Sequence, residues 1–196
     1  SWAWSSAPSK NRPPPVFESD EVATLLAYTV LGPQEPVDHK EKSDIRDARD
    51  RAAEWLTKAA PTDTTQAAVL RLLVRVRSGE PSKVVERDID GLLARQNSDG
   101  GWGQVKDRPS DGYATGFVVY LLRQTGVPAD DPAISRGVEW LKKNQRESGR
   151  WFTRSLSTDK FHYITNAGTG FAVMALKACE PTIGNPSRPA CLPEVP

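Results

Sequence analysis

The sequence predicts an all-α domain built from antiparallel pairs of helices. Apolar residues recur at the helical spacing of about 3.6 in one segment after another, and no segment alternates like a half-buried strand. A turn with Gln, Gly and Trp at fixed spacing also occurs twice, as QNSDGGW at 96–102 and as QRESGRW at 145–151. In both copies the Gly follows the Gln by four positions and the Trp follows it by six. Such a repeated unit is typical of stacked helical-repeat domains.

The segments around these turns repeat as well. ATGFVV at 114–119 parallels GTGFAV at 168–173, and RAAEWL at 51–56 lines up with RGVEWL at 136–141. Prolines fall between the helical segments or in their first turns, where proline is tolerated. We therefore predict helices near residues 20–31, 44–60, 64–77, 83–96, 111–125, 132–145 and 164–179.

The helical repeats occupy most of the chain. We assign them to residues 18–179, after a proline-rich lead-in at 1–17 and before a proline-rich tail at 180–196. A chain of 196 residues can bury a sizeable single core.

Composition argues against several kinds of partner. The net charge is +1 with both signs interspersed, so no basic patch is available for a nucleic-acid backbone. No apolar run reaches the roughly eighteen residues of a membrane helix, and we expect no transmembrane segment. With only two His and two Cys, a Cys/His zinc site is not expected, and no cofactor is predicted.

The two cysteines leave the cellular compartment open. Cys179 ends the last predicted helix, and Cys191 lies in the tail. They are either two unrelated thiols or a disulfide that ties the tail to the helix. The disulfide would favour an oxidising, extracytoplasmic compartment, periplasmic or secreted.

The repeated turns carry a resemblance to a known family. Residues 136–151 resemble the QW motif of squalene-hopene and oxidosqualene cyclases, and residues 96–102 resemble a second copy of it. GGWG at 100–103 and GTGF at 168–171 are similar to tetrapeptides that squalene-hopene cyclases carry in the same order. The likeness covers most of the chain and is strongest after residue 83.

This resemblance implies an α/α toroid, which is a ring of inner and outer helices around a cavity. The seven predicted helices are fewer than a full ring of that family contains. The chain therefore resembles the C-terminal part of such a ring, or a shortened and open one.

The resemblance also implies a candidate acid. Squalene cyclases protonate an alkene with an Asp-rich motif at the start of an inner helix, and aromatic side chains then stabilise the carbocation. At that place this chain has Glu18-Ser19-Asp20-Glu21, so Asp20 becomes the candidate proton donor, flanked by Glu18 and Glu21. Two of the family's aspartates are glutamates here. The alternative, which we favour, is that Ser19 or Asp20 caps the helix and that the acidic residues complement the helix dipole.

A second candidate site lies in the loop before the last helix. His162 and Asp159 could act there as a base and its orienting carboxylate. A single His beside a helix start is more often a surface or capping residue, so both interpretations stay open.

Aromatic residues form a third candidate site. Tyr113, Phe117 and Tyr120 fall on one face of a predicted helix, Phe171 occupies the parallel helix, and Tyr163 ends the preceding loop. They are candidates for binding an apolar ligand, although such a stripe is more often part of the core.

Two functions follow from these patterns. The favoured one is a cyclase-like helical-repeat domain that is non-catalytic or incomplete and binds a protein partner or an apolar ligand on its concave face. The alternative is a fragment of a class II terpene cyclase that protonates an isoprenoid alkene. A subunit of a larger assembly and a polysaccharide-degrading toroid with paired carboxylates are weaker alternatives.

Overall fold

Seven α-helices make up the part of the chain that the structure describes. In this computed structural model the described residues are 19–30, 39–156 and 163–180, with the backbone alone for 39–43. Within those ranges there is no strand, and Thr64 and Val105 form one isolated bridge. The helices are α1 (Asp20–Val30), α2 (His39–Lys58), α3 (Thr65–Arg77), α4 (Ser82–Leu93), α5 (Gly112–Gln124), α6 (Pro132–Asn144) and α7 (Tyr163–Ala178). The predicted all-α class is confirmed.

The helix boundaries agree with the predicted ones to within three residues, with one exception. Helix α2 begins at His39, whereas the apolar period placed its start at residue 44. The first turn of α2 reads HKEKS and contains no apolar side chain, so periodicity gives no signal there.

The helices form two layers. α1, α3, α5 and α7 each pack on the next of the series, while α2, α4 and α6 each pack on the helix before them. We call the first series the inner helices and the second the outer helices. This alternation is the arrangement of an α/α toroid, so the toroid-like fold class is confirmed for the described residues.

Neighbouring inner helices run parallel. Arg71 of α3 contacts Glu21 at the start of α1, and Arg77 at the end of α3 donates a hydrogen bond to the carbonyl of Thr29 near the end of α1. A parallel arrangement of consecutive inner helices requires each outer helix to return the chain to the same end. The short outer helices α4 and α6 do so.

The inner helices start at side-chain caps. Thr64 and Asp111 each accept the backbone N–H of the third residue of their helix, at 3.1 Å and 2.9 Å. Asp131 caps the outer helix α6 in the same way, with Pro132 at its first position. Caps of this kind satisfy N–H groups that a helix leaves unpaired, and they explain why the helices begin where they do.

Both Trp residues of the repeated turns make the same contact. The indole Nε1 of Trp102 donates to the carbonyl of Leu92 at 2.8 Å, and that of Trp151 donates to the carbonyl of Leu141 at 2.7 Å. Both indoles are buried. Each Trp therefore closes over the outer helix that precedes its turn and joins that helix to the core.

Helices α5 and α7 form the closest inner pair. A Cβ atom added to Gly116 would lie 2.5 Å from the backbone nitrogen of Ala172, and one added to Gly168 would lie 3.0 Å from that of Tyr113. Real Cβ atoms essentially never approach other atoms as closely as 2.5 Å, and a distance of 3.0 Å is tighter than most real Cβ contacts. The two glycines therefore allow these helix backbones to meet.

Candidate functional site

The acidic start of α1 places its side chains in different surroundings. Ser19 caps the helix, because its hydroxyl accepts the backbone N–H of Val22 at 3.2 Å. Asp20 is exposed to solvent. Glu18 lies outside the described residues, so its place in a candidate acid site stays a prediction.

Glu21 is the buried acid of this segment, with 6% of its surface exposed. Its Oε1 lies 2.5 Å from Nη1 of Arg71, and its Oε2 accepts the backbone N–H of Thr62 at 2.5 Å. Arg71 also donates to the carbonyl of Thr62 at 3.2 Å. The carboxylate thus fastens α1 to α3 and to the turn before α3, through charge-assisted hydrogen bonds.

The loop before α7 is described only in part. His162 and Asp159 lie outside the described residues, and their proposed pairing stays a prediction. Tyr163, the first residue of α7, is 60% exposed. Phe152 and Leu156 in the same region are also exposed, and the guanidinium of Arg146 lies 4.5 Å from the ring centre of Phe152.

Three of the five aromatic candidates pack on one another. The ring centres of Phe117 and Phe171 lie 4.5 Å apart, and those of Tyr113 and Phe171 lie 5.6 Å apart in an edge-on arrangement. Tyr113 and Phe117 are buried, whereas Phe171 and Tyr120 are half-buried. The structure therefore brings Tyr113, Phe117 and Phe171 together between α5 and α7, in a geometry typical of aromatic core packing.

A cavity of about 570 Å³ lies between the start of α3 and the first Gln/Gly/Trp turn. Arg95 and Lys106 bring positive charge to it, and Asp63 forms an ion pair with Arg95. More of its lining is polar than apolar, which suits a small polar molecule better than a hydrocarbon. The lining residues are Asp63, Thr65, Ala94, Arg95, Gln96, Asn97, Ser98, Gly103, Val105, Lys106 and Asp107.

Asp111 is a half-buried carboxylate that the sequence analysis did not single out. Burial raises its pKa above the ordinary aspartate value, although hydrogen bonds from Ala114 and Gln104 act in the opposite direction. The Nε2 of Gln104 donates to Asp111 Oδ2 at 2.8 Å and to the carbonyl of Arg154 at 2.9 Å. The only feature of the sequence that could have pointed to Asp111 is its position just before a predicted helix, and many ordinary helix caps share that position.

Other kinds of site have little support in the described part of the chain. No group of three His, Cys, Asp or Glu side chains there could hold a metal ion. None of the described helices is long and apolar enough to cross a membrane. Cys179 is a half-buried free thiol whose pKa is raised by burial, and Cys191 lies outside the described residues.

Comparison with known proteins gives partial matches. No protein-family model matches the chain. The chain is 36% identical over 111 residues to a squalene-hopene cyclase of Schizosaccharomyces japonicus, a match covering 47% of this chain and 17% of that protein. It is 30% identical over 97 residues to the drimenyl diphosphate synthase of Streptomyces showdoensis, covering 47% of this chain and 18% of that enzyme.

A protein that is not named as a cyclase or a terpene synthase also matches the chain. The alpha-2-macroglobulin of Thermotoga maritima is 28% identical to this chain over 72 residues, which cover 35% of the chain and 5% of that protein. The matched region spans less than a fifth of the length of each of these relatives. Together with its repeated turns and its two helical layers, these matches show that the chain carries a squalene cyclase-like helical-repeat portion, similar to several squalene-hopene cyclases.

Proposed function

We propose that this chain is a non-catalytic cyclase-like domain that binds a protein partner on the concave face of its inner helices. The observation that carries the proposal is that the carboxylate of Glu21 is already hydrogen-bonded within the protein. Both of its carboxylate oxygens accept hydrogen bonds, one from Arg71 and one from the backbone of Thr62. That is the arrangement of a structural ion pair, whereas alkene protonation needs a neutral acid that can donate its proton.

The position of Asp20 supports the same conclusion. An acid strong enough to protonate an alkene must be shielded from water, because water would compete for the proton and for the cation. Asp20 is exposed, and the cap of α1 is formed by Ser19 next to it.

The aromatic residues favour a protein over an apolar ligand as the bound partner. Tyr113, Phe117 and Phe171 are packed against one another, so their rings already contact protein. The exposed apolar side chains of Phe152 and Tyr163 lie around the loop into α7, which in a helical ring edges the mouth of the cavity. Exposed apolar groups of this kind are typical of protein-binding surfaces.

Turnover of squalene tests the absence of catalysis. The purified chain is incubated with squalene, beside the squalene-hopene cyclase of Schizosaccharomyces japonicus as a positive control, and the products are analysed by mass spectrometry. We expect cyclised product from the control enzyme alone. Product from this chain that disappears in Asp20→Asn would establish the alternative, a class II cyclase fragment with Asp20 as its acid.

The choice of partner needs a separate measurement. We expect no saturable binding of squalene or farnesol in equilibrium dialysis. In cells that express the full-length protein, chemical cross-links to other proteins should decrease when Phe152 and Tyr163 are both changed to Ser. Saturable binding of either isoprenoid would show instead that the apolar ligand is the occupant.

A further inference from the structure

The cavity beside the first Gln/Gly/Trp turn is separate from the surfaces on which the proposed function rests. It is bounded by the start of α3, by the residues that follow α4 and by the loop 103–107. None of its lining residues belongs to the acidic start of α1, to the packed aromatic side chains or to the surface around Phe152 and Tyr163. Its volume of about 570 Å³ is in the range of small-molecule sites. What binds in this cavity is therefore independent of the proposed function.

Three charged residues of this lining are particular to the first turn. When the two turns are aligned from Gln96 and Gln145, these three positions carry uncharged side chains in the second copy. Arg95, Lys106 and Asp107 correspond there to Asn144, Ser155 and Leu156. Formation of the turn therefore does not require these charges.

Two of the charged residues in the lining bond each other. Arg95 Nη2 donates to Asp63 Oδ1. This hydrogen bond and the charge of Arg95 lower the pKa of Asp63, and the charge of Lys106 lowers it further. Arg95 retains donors beyond this pair, because a guanidinium has five N–H groups. Its Nη1 is buried and donates to no atom of the described residues. Buried donors are nearly always satisfied in folded proteins, so Arg95 favours an acceptor bound in the cavity.

Lys106 and Asp107 are charges of opposite sign. Both line the cavity, and neither side chain forms an ion pair or a hydrogen bond with a described residue. Together with the Arg95–Asp63 pair they give the lining two positive and two negative side chains, so its charges balance. Such a lining is complementary to a molecule whose own charges also balance but include both signs.

The backbone at Asp107 gives no reason for a carboxylate at this position. Residues 105–108 form a turn in which the N–H of Arg108 donates to the carbonyl of Val105 at 3.3 Å. Asp107 is the third residue of that turn and has a φ of 62°. Glycine is the residue that such a position favours, because it adopts positive φ without steric strain. Aspartate adopts this region more readily than most residues do, but still at a cost. The side chain of Asp107 therefore serves something other than the turn.

We propose that this cavity binds a small zwitterion, a molecule with both a carboxylate and a primary ammonium group, as amino acids and short peptides have. The carboxylate of the ligand accepts hydrogen bonds from Lys106 and Arg95, beside the N-terminal, positive end of the α3 dipole. The ammonium group of the ligand donates to the carboxylate of Asp107. A molecule with only one of these groups leaves either Lys106 or Asp107 unpaired.

A titration followed by NMR tests both the binding and its location. L-glutamine and triglycine are each added to the isotope-labelled chain, and the backbone amide signals of residues 103–107 are recorded. We expect a saturable shift of these signals with at least one of the two compounds. Tighter binding of glutamine would assign the site to free amino acids, and tighter binding of triglycine would assign it to short peptides. No saturable shift with either compound would overturn the proposal.

Analogues that carry one charge test whether both charges are needed. For glutamine they are glutaramate, which lacks the ammonium group, and γ-aminobutyramide, which lacks the carboxylate. For triglycine they are N-acetyltriglycine and triglycine amide. We expect each analogue to bind about tenfold more weakly than its parent zwitterion, because it loses a charge-assisted hydrogen bond. An analogue that binds as tightly as its parent would contradict the proposal.

Asp107→Gly removes the carboxylate while giving the turn the residue that it favours, so the variant should unfold at a urea concentration close to that of the original chain. We expect the zwitterion to bind to it about tenfold more weakly. The analogue that lacks the ammonium group should bind equally well to the variant and to the original chain, because it has no group that Asp107 could bond. Unchanged affinity for the zwitterion in Asp107→Gly would overturn the proposal.

Two further variants complete the comparison. Lys106→Gln should weaken binding of the zwitterion to a similar degree, without affecting the analogue that lacks the carboxylate. Asp130→Gly is the matched control, because it removes an exposed carboxylate outside the cavity, and it should leave the affinity unchanged. An equal loss of affinity in Asp107→Gly and Asp130→Gly would show a general effect of protein charge and would also overturn the proposal.

Discussion

At the scale of single residues, Gly116 and Gly170 form a matched pair. Gly116→Ala would place a Cβ 2.5 Å from the backbone of Ala172, so α5 and α7 must separate. We expect the free energy of unfolding to fall by about 1–3 kcal/mol. Gly170→Ala meets no described atom, and its better helix propensity should raise the free energy of unfolding by up to about 1 kcal/mol. Urea unfolding measures both, and equal effects would contradict this account of the packing.

A second prediction at this scale concerns Asp111. Because burial raises its pKa in the folded state, the native protein binds a proton there more tightly than the unfolded chain does. Ionisation of Asp111 therefore lowers stability as the pH rises above the ordinary aspartate pKa of about 3.9, and the loss persists at higher pH.

Asp111→Asn isolates this contribution, because the amide oxygen can still cap α5 but no longer titrates. The free energy of unfolding of the variant, relative to the original chain, should increase as the pH rises from about 4. Urea unfolding at several pH values measures that difference. A difference independent of pH would show that the burial of Asp111 does not perturb its titration.

At the scale of helices and turns, the two glutamines should differ in importance. Gln96 joins its own turn to α6 through the carbonyl of Ala133 and through Arg136, whereas Gln145 bonds within its turn. We expect Gln96→Ala to cost about 1–3 kcal/mol of unfolding free energy and Gln145→Ala less than about 1 kcal/mol. Chemical denaturation of the two variants checks this order. Equal losses would mean that the bond within the turn is the important one, because Gln96 also makes that bond, to the carbonyl of Gly100 at 2.9 Å.

The same scale shows how far the sequence could predict the structure. The helices and both turns were predicted because their signals are local, namely apolar period, caps and fixed spacing. The start of α2 was missed because its first turn has no apolar residue. The partner of Glu21 could not be predicted, since Arg71 lies far along the chain and no local spacing links the two.

The different surroundings of residues 114–119 in α5 and 168–173 in α7 were equally hidden from the sequence. ATGFVV and GTGFAV are almost the same string, yet Val119 is buried and Val173 is exposed. Burial depends on which element packs on a face, and a repeat carries the same face whether or not a neighbour follows it.

At the scale of the whole molecule, stability should be distributed unevenly along the repeats. Each helix packs on its neighbours in the series, so local stability follows local burial. Helix α5 packs on α3, α6 and α7, and most of its residues are buried. Ala52 is the only buried residue among the described side chains of α2, which packs mainly on α1.

Hydrogen exchange should therefore separate these two helices. We expect the backbone amides of α5 to exchange most slowly and those of α2 to exchange fastest among the helices, by about two orders of magnitude or more, because local opening of α2 exposes little apolar surface. Peptide-level mass spectrometry measures the rates.

In Gly116→Ala the protection of α5 and α7 should decrease while that of α1 stays the same, since α1 contacts neither helix closely. Equal loss of protection in α1, α5 and α7 would instead show that the described helices open as one cooperative unit.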